Sequence, residues 1–342
     1  RAIEDVREGD RLPESIAGFR IIRELGRGGM GVVCEAEEDE PRRRVALKVL
    51  PILAPSSLAR RLRQEAHLLA QLDHPGIARV YQAGVTSVHR QRTPFIAMEL
   101  VEGGPVDRFV REHQVPVRER LRLVAMMADA VHAAHLRGII HRDLKPANVL
   151  IAVGDGEPQP RILDFGVARL LDRDLAVTAV KTETSQLVGT LQYMSPEQLS
   201  GDPGLVDART DVYALGVIAY ELLIGESPFR ISDRPLADVI DEIRSGRVAS
   251  VRSRDPELRT DASIIIGTAM ARDVKRRYQS AAELAADIRR HLDGRPILAH
   301  PPSAAYQVRM FVRRNAVAVG GAVAAFASLL LGLVVSVIFA RH

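Results

Sequence analysis

The chain has 342 residues, 46% hydrophobic and 26% charged, with a formal net charge of +4. It is long enough to bury a core, as one large globular domain or two small ones, and its Lys and Arg are scattered among similar numbers of Asp and Glu, which gives no pointer to nucleic acid. The single cysteine, Cys34, excludes an intrachain disulfide framework and a multi-cysteine metal site, and reads as a small buried strand residue in a reducing compartment.

In chain order, the opening RAIEDVREGD is charged and lacks the apolar centre of a secretory signal. Residues 19–36, FRIIRELGRGGMGVVCEA, set short apolar runs around a glycine cluster and predict strand, turn, strand. RRRVALKVL, residues 42–50, is a further strand, with Val45, Leu47 and Val49 alternating against Ala46 and Lys48. Residues 56–72 carry helical periodicity behind a serine start, and residues 78–85 and 94–103 predict two more strands. Residues 19–102 thus form a strand-rich unit with one helix.

After residue 102 the texture changes. Residues 117–138 are a long amphipathic helix with Gly138 at its C-terminal cap. Residues 210–225, TDVYALGVIAYELLIG, are a nearly all-apolar helix, hence central. Residues 280–292 are a helix with a serine cap and Glu283 in capping-box position. The second unit, residues 103–293, is therefore mainly helical. Residues 294–315 carry Pro296, Pro301 and Pro302 and read as a linker. Ala316 to Ala340 holds no charged residue and is long enough as a helix to cross a hydrocarbon core of about 30 Å. Arg309, Arg313 and Arg314 precede it, and basic flanks favour the cytoplasmic side. Gly320 and Ala324 make a small-xxx-small pair, which chance explains in so Ala-rich and Gly-rich a run.

The chemistry gathers in four places. Gly26, Gly28 and Gly31 fit G-x-G-x-x-G, with Val33 two residues on; glycines let backbone N–H groups approach a phosphate, although glycine turns between strands are common. Lys48 ends VALK, and Glu65 on the following helix is a candidate carboxylate partner that would keep it aimed at a phosphate. HRDLKPANVL, residues 141–150, puts Asp143, Lys145 and Asn148 around Pro146, which argues against a regular helix and for a loop aiming polar side chains at one small volume. Asp164 follows an apolar strand in ILDFG. Asn148 and Asp164, flanking an expected hairpin, suit Mg²⁺, which takes few protein oxygens beside substrate phosphates.

Together, in this order and spacing, these motifs resemble the eukaryotic-like (Hanks-type) protein kinases, specifically the bacterial membrane-anchored serine/threonine kinases. The likeness spans residues 19–293 and includes SPE at Ser195 to Glu197 in place of APE. It implies an α+β, two-lobed kinase fold: an N-terminal extension (1–18), a β-rich lobe (19–102), a helical lobe (103–293), a basic juxtamembrane linker (294–315) and a membrane helix (316–340). It implies ATP and Mg²⁺, or Mn²⁺, as cofactors and protein Ser/Thr hydroxyls as acceptors. Asp143 would take the hydroxyl proton, with Lys145 against the transferring phosphate and Asn148 and Asp164 on the metal. Lys48, fixed by Glu65, would hold the α- and β-phosphates under Gly26, Arg27, Gly28 and Gly31. Val33 and Ala46 would roof the adenine, and the backbone of Glu99 and Val101, beyond a gatekeeper Met98, would hydrogen-bond it.

The same likeness assigns the subtype. DLKPAN and Thr190, expected to contact Asp143 and Lys145, mark the serine/threonine kinases. Arg142 would meet a phosphate on the activation segment, with Thr182 and Thr184 the first candidates and Thr178 and Ser185 behind them. Asp211 would cap the catalytic loop, Glu197 would pair with Arg277, and Leu69, Val80, His141 and Phe165 would stack between the lobes. Tyr213 stands where Trp is common. A homodimer is implied by the family's habit of trans-autophosphorylation. The rival reading is an inactive kinase-like membrane scaffold, disfavoured because Lys48, Asp143 and Asp164 are all kept; a small-molecule phosphotransferase is disfavoured by the GT…PE segment.

Overall fold

The computed structural model describes residues 13–28, 31–50, 69, 71–88, 91–153, 156–165, 190–229, 234–245, 261–300, 307, 310–312 and 315–340. The first unit is a six-stranded antiparallel sheet: β1 (Ser15–Ile16), β2 (Phe19–Gly28), β3 (Gly31–Glu38), β4 (Arg43–Val49), β5 (Val80–Val88) and β6 (Gln91–Glu99), in the order β1-β2-β3-β4-β6-β5. The alternation in VALKV divides the sheet's two faces. Val45, Leu47 and Val49 pack with Ile16, Phe19, Ala36, Phe95 and Ala97. Ala46 joins Ile96 and Met98 on the other side, with Val33 and Val80 against them. Cys34 is buried within β3, and burial pushes its thiol up. The helix expected over residues 56–72 lies outside the described residues, apart from Leu69, which is helical, Gln71 and Leu72.

The second unit opens with β7 (Gly103–Pro105), α1 (Val106–Glu112) and α2 (Val117–His135), followed by the hairpin β8 (Val149–Ala152) and β9 (Gln159–Ile162). β7, β8 and β9 form a small antiparallel sheet. Then come α3 (Pro196–Leu199), α4 (Ala208–Ile224), α5 (Leu236–Ser245), α6 (Asp261–Ala269) and α7 (Ala281–Leu292). The apolar α4 is central, as its composition predicts: Val212 to Tyr220 are buried without a break. At about 1.5–3 kcal/mol for each fully buried large apolar side chain, this one helix is a major contribution to the second core. Asp207 caps its start by accepting from Arg209 N at 2.8 Å, and Gly225 ends it at φ 84°.

Three local details depart from expectation. Helix α2 stops at His135, and Gly138 sits beyond it at φ 72°, where the Ile139 N–H returns to the Ala134 carbonyl at 3.1 Å. Ser280 does cap α7 through Glu283 N at 3.2 Å, but the Glu283 carboxylate reaches past it to Gln279 N at 2.7 Å. A closed capping box occurs instead at α3, between Ser195 and Gln198.

The two units join through backbone. Ile77 bridges Ile162 in parallel, Ala78 N donates to the Ile162 carbonyl at 3.0 Å, and Ile162 N to the Gly76 carbonyl at 2.8 Å. Asp164, two residues beyond Ile162, lies beside this seam. Finally, α8 (Ala316–Ala340) is a 25-residue helix, about 37 Å long at 1.5 Å per residue, and none of its window Ala316–Leu333 is buried.

Candidate active site

The loop before β8 is built around Asp211, which α4 buries completely. Its Oδ2 accepts from His141 N at 2.8 Å and from His135 Nε2 at 2.7 Å, and its Oδ1 from Arg142 N at 2.9 Å. A carboxylate can only accept, so the His135 hydrogen resides on Nε2. Burial alone would raise the Asp211 pKa, but the bond and charge of His135, the charge of His141 and the backbone N–H outweigh it and hold the carboxyl below its usual range. Arg142 adopts φ 66°, which Asp211 and a bond from Gln198 Nε2 to the Arg142 carbonyl at 2.8 Å hold in place.

This anchored turn presents the polar residues. Lys145 Nζ lies 3.0 Å from Asp143 Oδ2 and 3.2 Å from Thr190 Oγ1. Asn148 Nδ2 donates to the Asp143 carbonyl at 2.7 Å and contacts Oδ2 at 3.3 Å, so its amide oxygen is the atom left for a ligand. Pro146 to Asn148 form a single 3-10 turn, consistent with the proline.

Asn148 and Asp164 stand at the two ends of the β8–β9 hairpin, tied by the bond from Leu163 N to the Asn148 carbonyl at 2.8 Å. Asp164 takes φ 58°; its Oδ2 accepts from Lys48 Nζ at 2.7 Å and its Oδ1 is buried with no partner. An orphaned carboxylate oxygen near a second oxygen donor fits a hard divalent cation completed by phosphate and water. Among the described residues no group of three or more His, Cys, Asp or Glu side chains is assembled as a metal site.

Lys48 is buried on β4, and the sequence did not foretell its contact with Asp164, 116 residues away. Glu65 lies outside the described residues, as do Thr178, Thr182, Thr184 and Ser185. Gly26, Arg27, Gly28 and Gly31 lie at the β2–β3 turn, where Gly28 faces Gly31. Arg27 turns its guanidinium to Glu24, at 2.8 Å. At Gly31, φ is 115° and a Cβ would lie 2.1 Å from the Val49 carbonyl oxygen, so no side chain fits. Val33 and Ala46 lie on the same apolar face of the sheet as Met98. The Glu99 N–H donates to the Arg79 carbonyl at 2.8 Å. Val101 follows β6 in the strand-to-helix connection. Met98 lines a small cavity of about 10 Å³, no larger than one water, together with Leu69, Ile77, Val80, Ile96, Phe165 and Asp164.

The expected contacts of His141 with Phe165 and of Glu197 with Arg277 are present. His141 is fully buried, packs edge-on against Phe165 at 4.8 Å and bonds the Leu163 carbonyl at 2.8 Å. Glu197 meets Arg277 at 2.7 Å, both buried, and Thr210 Oγ1 adds a bond to Glu197 at 3.0 Å. Tyr213 packs its ring under the Arg277 guanidinium, 5.1 Å away. Arg142 Nε is buried without a partner. The His135 contact was missed; its signal was an imidazole at the end of an amphipathic helix just before the catalytic loop.

Known proteins share the sequence pattern and the fold. The protein kinase domain family matches residues 19–288. The chain is 37% identical over 275 residues to the serine/threonine-protein kinase PknB of Mycobacterium leprae, covering 80% of this chain and 42% of that protein. It is 36% identical over 272 residues to the serine/threonine-protein kinase pkn2 of Myxococcus xanthus, covering 78% of this chain and 31% of that one. It thus spans less than half the length of these curated relatives. The crystal structure of the Mycobacterium tuberculosis PknI kinase domain superposes with a TM-score of 0.61 at 27% identity, over 82% of this chain and 99% of that one. The chain belongs to the protein kinase family, with close relatives among the bacterial serine/threonine kinases.

Proposed function

We propose that the chain is an ATP-dependent protein kinase that phosphorylates serine and threonine hydroxyls of proteins and is anchored to a membrane by α8. The observation that carries this reading is the convergence of Lys145 Nζ on both Asp143 and Thr190 beside the orphaned Asp164 oxygen. In the proposed reaction an acceptor hydroxyl lies against Asp143. Its oxygen forms a bond to the γ-phosphorus as the bond from phosphorus to the ADP oxygen breaks, and Asp143 takes the proton. Lys145 stays with the phosphoryl group, and Lys48 and the backbone around Gly26 to Gly31 hold the remaining phosphates. Asn148 and Asp164 would hold Mg²⁺, which neutralises phosphoryl oxygens. The rest is positioning.

The buried, unpartnered Nε of Arg142 supports control by phosphate on the activation segment. Thr182 and Thr184 are its first candidates, and exchange between two copies is the expected route. α8 supports the membrane reading by length and composition, and the basic residues before it favour a kinase domain on the cytoplasmic side.

The test is the intact mass of residues 1–300 after incubation with Mg-ATP, beside Asp143→Asn. Phosphate increments in the parent alone, mapping to Thr182 or Thr184, are expected. No increments in either protein, with ATP binding kept, would favour an inactive scaffold. Equal increments in both would remove the role given to Asp143.

A further inference from the structure

Outside the cleft, one carboxylate is used in a way the reaction does not explain. Asp287 on α7 is fully buried. Its Oδ1 accepts from Leu298 N at 2.7 Å, and its Oδ2 from Ala299 N at 2.9 Å and from the Tyr278 hydroxyl at 3.0 Å. Two of these donors are backbone N–H groups in the proline-containing stretch after α7. The chain turns at Gly294, φ 65°, with Arg295 N returning to the Arg290 carbonyl at 2.7 Å. It then runs back along α7, where Ile297 enters the main core and Ala299 packs against it. A buried carboxylate with two N–H donors to satisfy it is a costly group to strand, so the segment is held from within.

This docking decides where the chain leaves the kinase. With residues 294–300 seated, a free tether can begin only after His300, and residues 301–315 reach at most about 55 Å at full extension. They reach less in fact, because Met310 is buried, Met310 to Val312 are helical and Asn315 N bonds the Phe311 carbonyl. Freed at Gly294, the tether would gain about 25 Å and a glycine hinge. The seated segment also shows an outward face. Leu298 is 69% exposed, and the Arg295 side chain, 58% exposed, is only 3.5 Å from Asp293. The sequence adds Arg309, Arg313 and Arg314 before the span. An exposed leucine, joined to an apolar helix by a short tether whose sequence carries Arg309, Arg313 and Arg314, suits an anionic lipid surface.

We propose that residues 294–300 are a strap, locked by Asp287, that sets the orientation of the kinase on its anchor, with the α7 face of the helical lobe turned to an anionic lipid surface. The inference rests on the membrane reading of α8. It makes the strap part of the catalytic domain rather than of the linker, although the family match stops at residue 288.

The test uses the full chain in lipid nanodiscs containing phosphatidylserine, with Cys34→Ala removing the native thiol. Single fluorophores are placed at Leu298→Cys, at Arg42→Cys in the β3–β4 turn, and at Phe326→Cys within α8. Nitroxides on lipid headgroups should quench the 298 label several-fold more than the 42 label, and mid-chain nitroxides should quench the 326 label. Asp287→Ala should lower quenching at 298 towards the level at 42 and abolish slow hydrogen exchange at the Leu298 and Ala299 amides. Ala299→Pro, which deletes one donor and leaves α7 intact, should shift quenching the same way if Asp287→Ala does not fold. Equal quenching at 298 and 42 with 326 inserted would overturn the strap's role and leave the membrane reading standing. Self-quenching at 298 without lipid quenching would assign this face to a second copy of the chain and overturn the proposal. An unquenched 326 label would overturn the membrane reading and the orientation with it.

Discussion

Asp211→Asn exchanges one carboxylate oxygen for an NH₂ group and leaves the shape unchanged. The carboxylate takes three donors, from His135 Nε2, His141 N and Arg142 N. In the variant, one oxygen remains and the NH₂ must face at least one N–H. Losing one bond to a charged acceptor costs about 1.5–3 kcal/mol, and weakening the others as the charge disappears adds about 1 kcal/mol. Roughly 3 kcal/mol of stability should go, out of a total of about 5–15 kcal/mol, so the variant folds. The loss falls on the turn that aims Asp143, so kcat should drop by about 10–100-fold, since 1.4 kcal/mol of lost positioning is a factor of about ten. Urea unfolding of residues 1–300 and steady-state phosphorylation of a peptide read the two quantities. The pH dependence is a further check. The folded pKa of Asp211 lies below the unfolded value of about 3.9, so its contribution is present above that value and is lost as pH falls through the folded pKa. The Asn variant should lose that part of the acid sensitivity. A loss under about 1 kcal/mol with kcat unchanged would refute the argument that Asp211 holds the loop.

Other outcomes follow from the same contacts. Arg277→Met should cost about 3–5 kcal/mol in urea unfolding by stranding Glu197, and Glu197→Gln on top should restore part of it; a single variant as stable as the parent would mean the pair is solvated. Lys48→Met should reduce phosphoryl transfer by at least about 100-fold, as a loss of roughly 3 kcal/mol requires, with Tm shifting little; a Tm loss that accounts for the inactivity would make Lys48 structural. Gly31→Ala should weaken ATP binding measured by calorimetry, because its Cβ meets the Val49 carbonyl oxygen at 2.1 Å; unchanged affinity would show that the turn can move away freely.

Much of the fold was legible because its cues are local. The alternation of Val45, Leu47 and Val49 with Ala46 and Lys48 announced β4 and both of its faces, and the run from Val212 to Leu223 announced a central helix. Asn148 and Asp164 could be placed together because a short hairpin joins them. The Lys145–Thr190 contact was legible only through the family likeness. Other features had no local signal. Lys48 and Asp164 meet across a domain, in a contact that depends on how the cleft is arranged. The three-residue strand β7 is too short to show a period. The partners of Asp287 are backbone N–H groups, which every residue except proline carries, so Leu298 and Ala299 offered no clue in their side chains.

The cavity lined by Met98 has a consequence for inhibitors. Its walls are apolar, from Leu69, Ile77, Val80, Ile96 and Phe165, except where Asp164 borders it, and at about 10 Å³ it admits no more than a water. The methionine side chain closes its mouth and is unbranched, so it bends around a ligand more readily than a β-branched gatekeeper would. Shortening it to alanine would merge the cavity with the adenine site. The enlarged site should accept purine analogues with bulky substituents that the parent excludes.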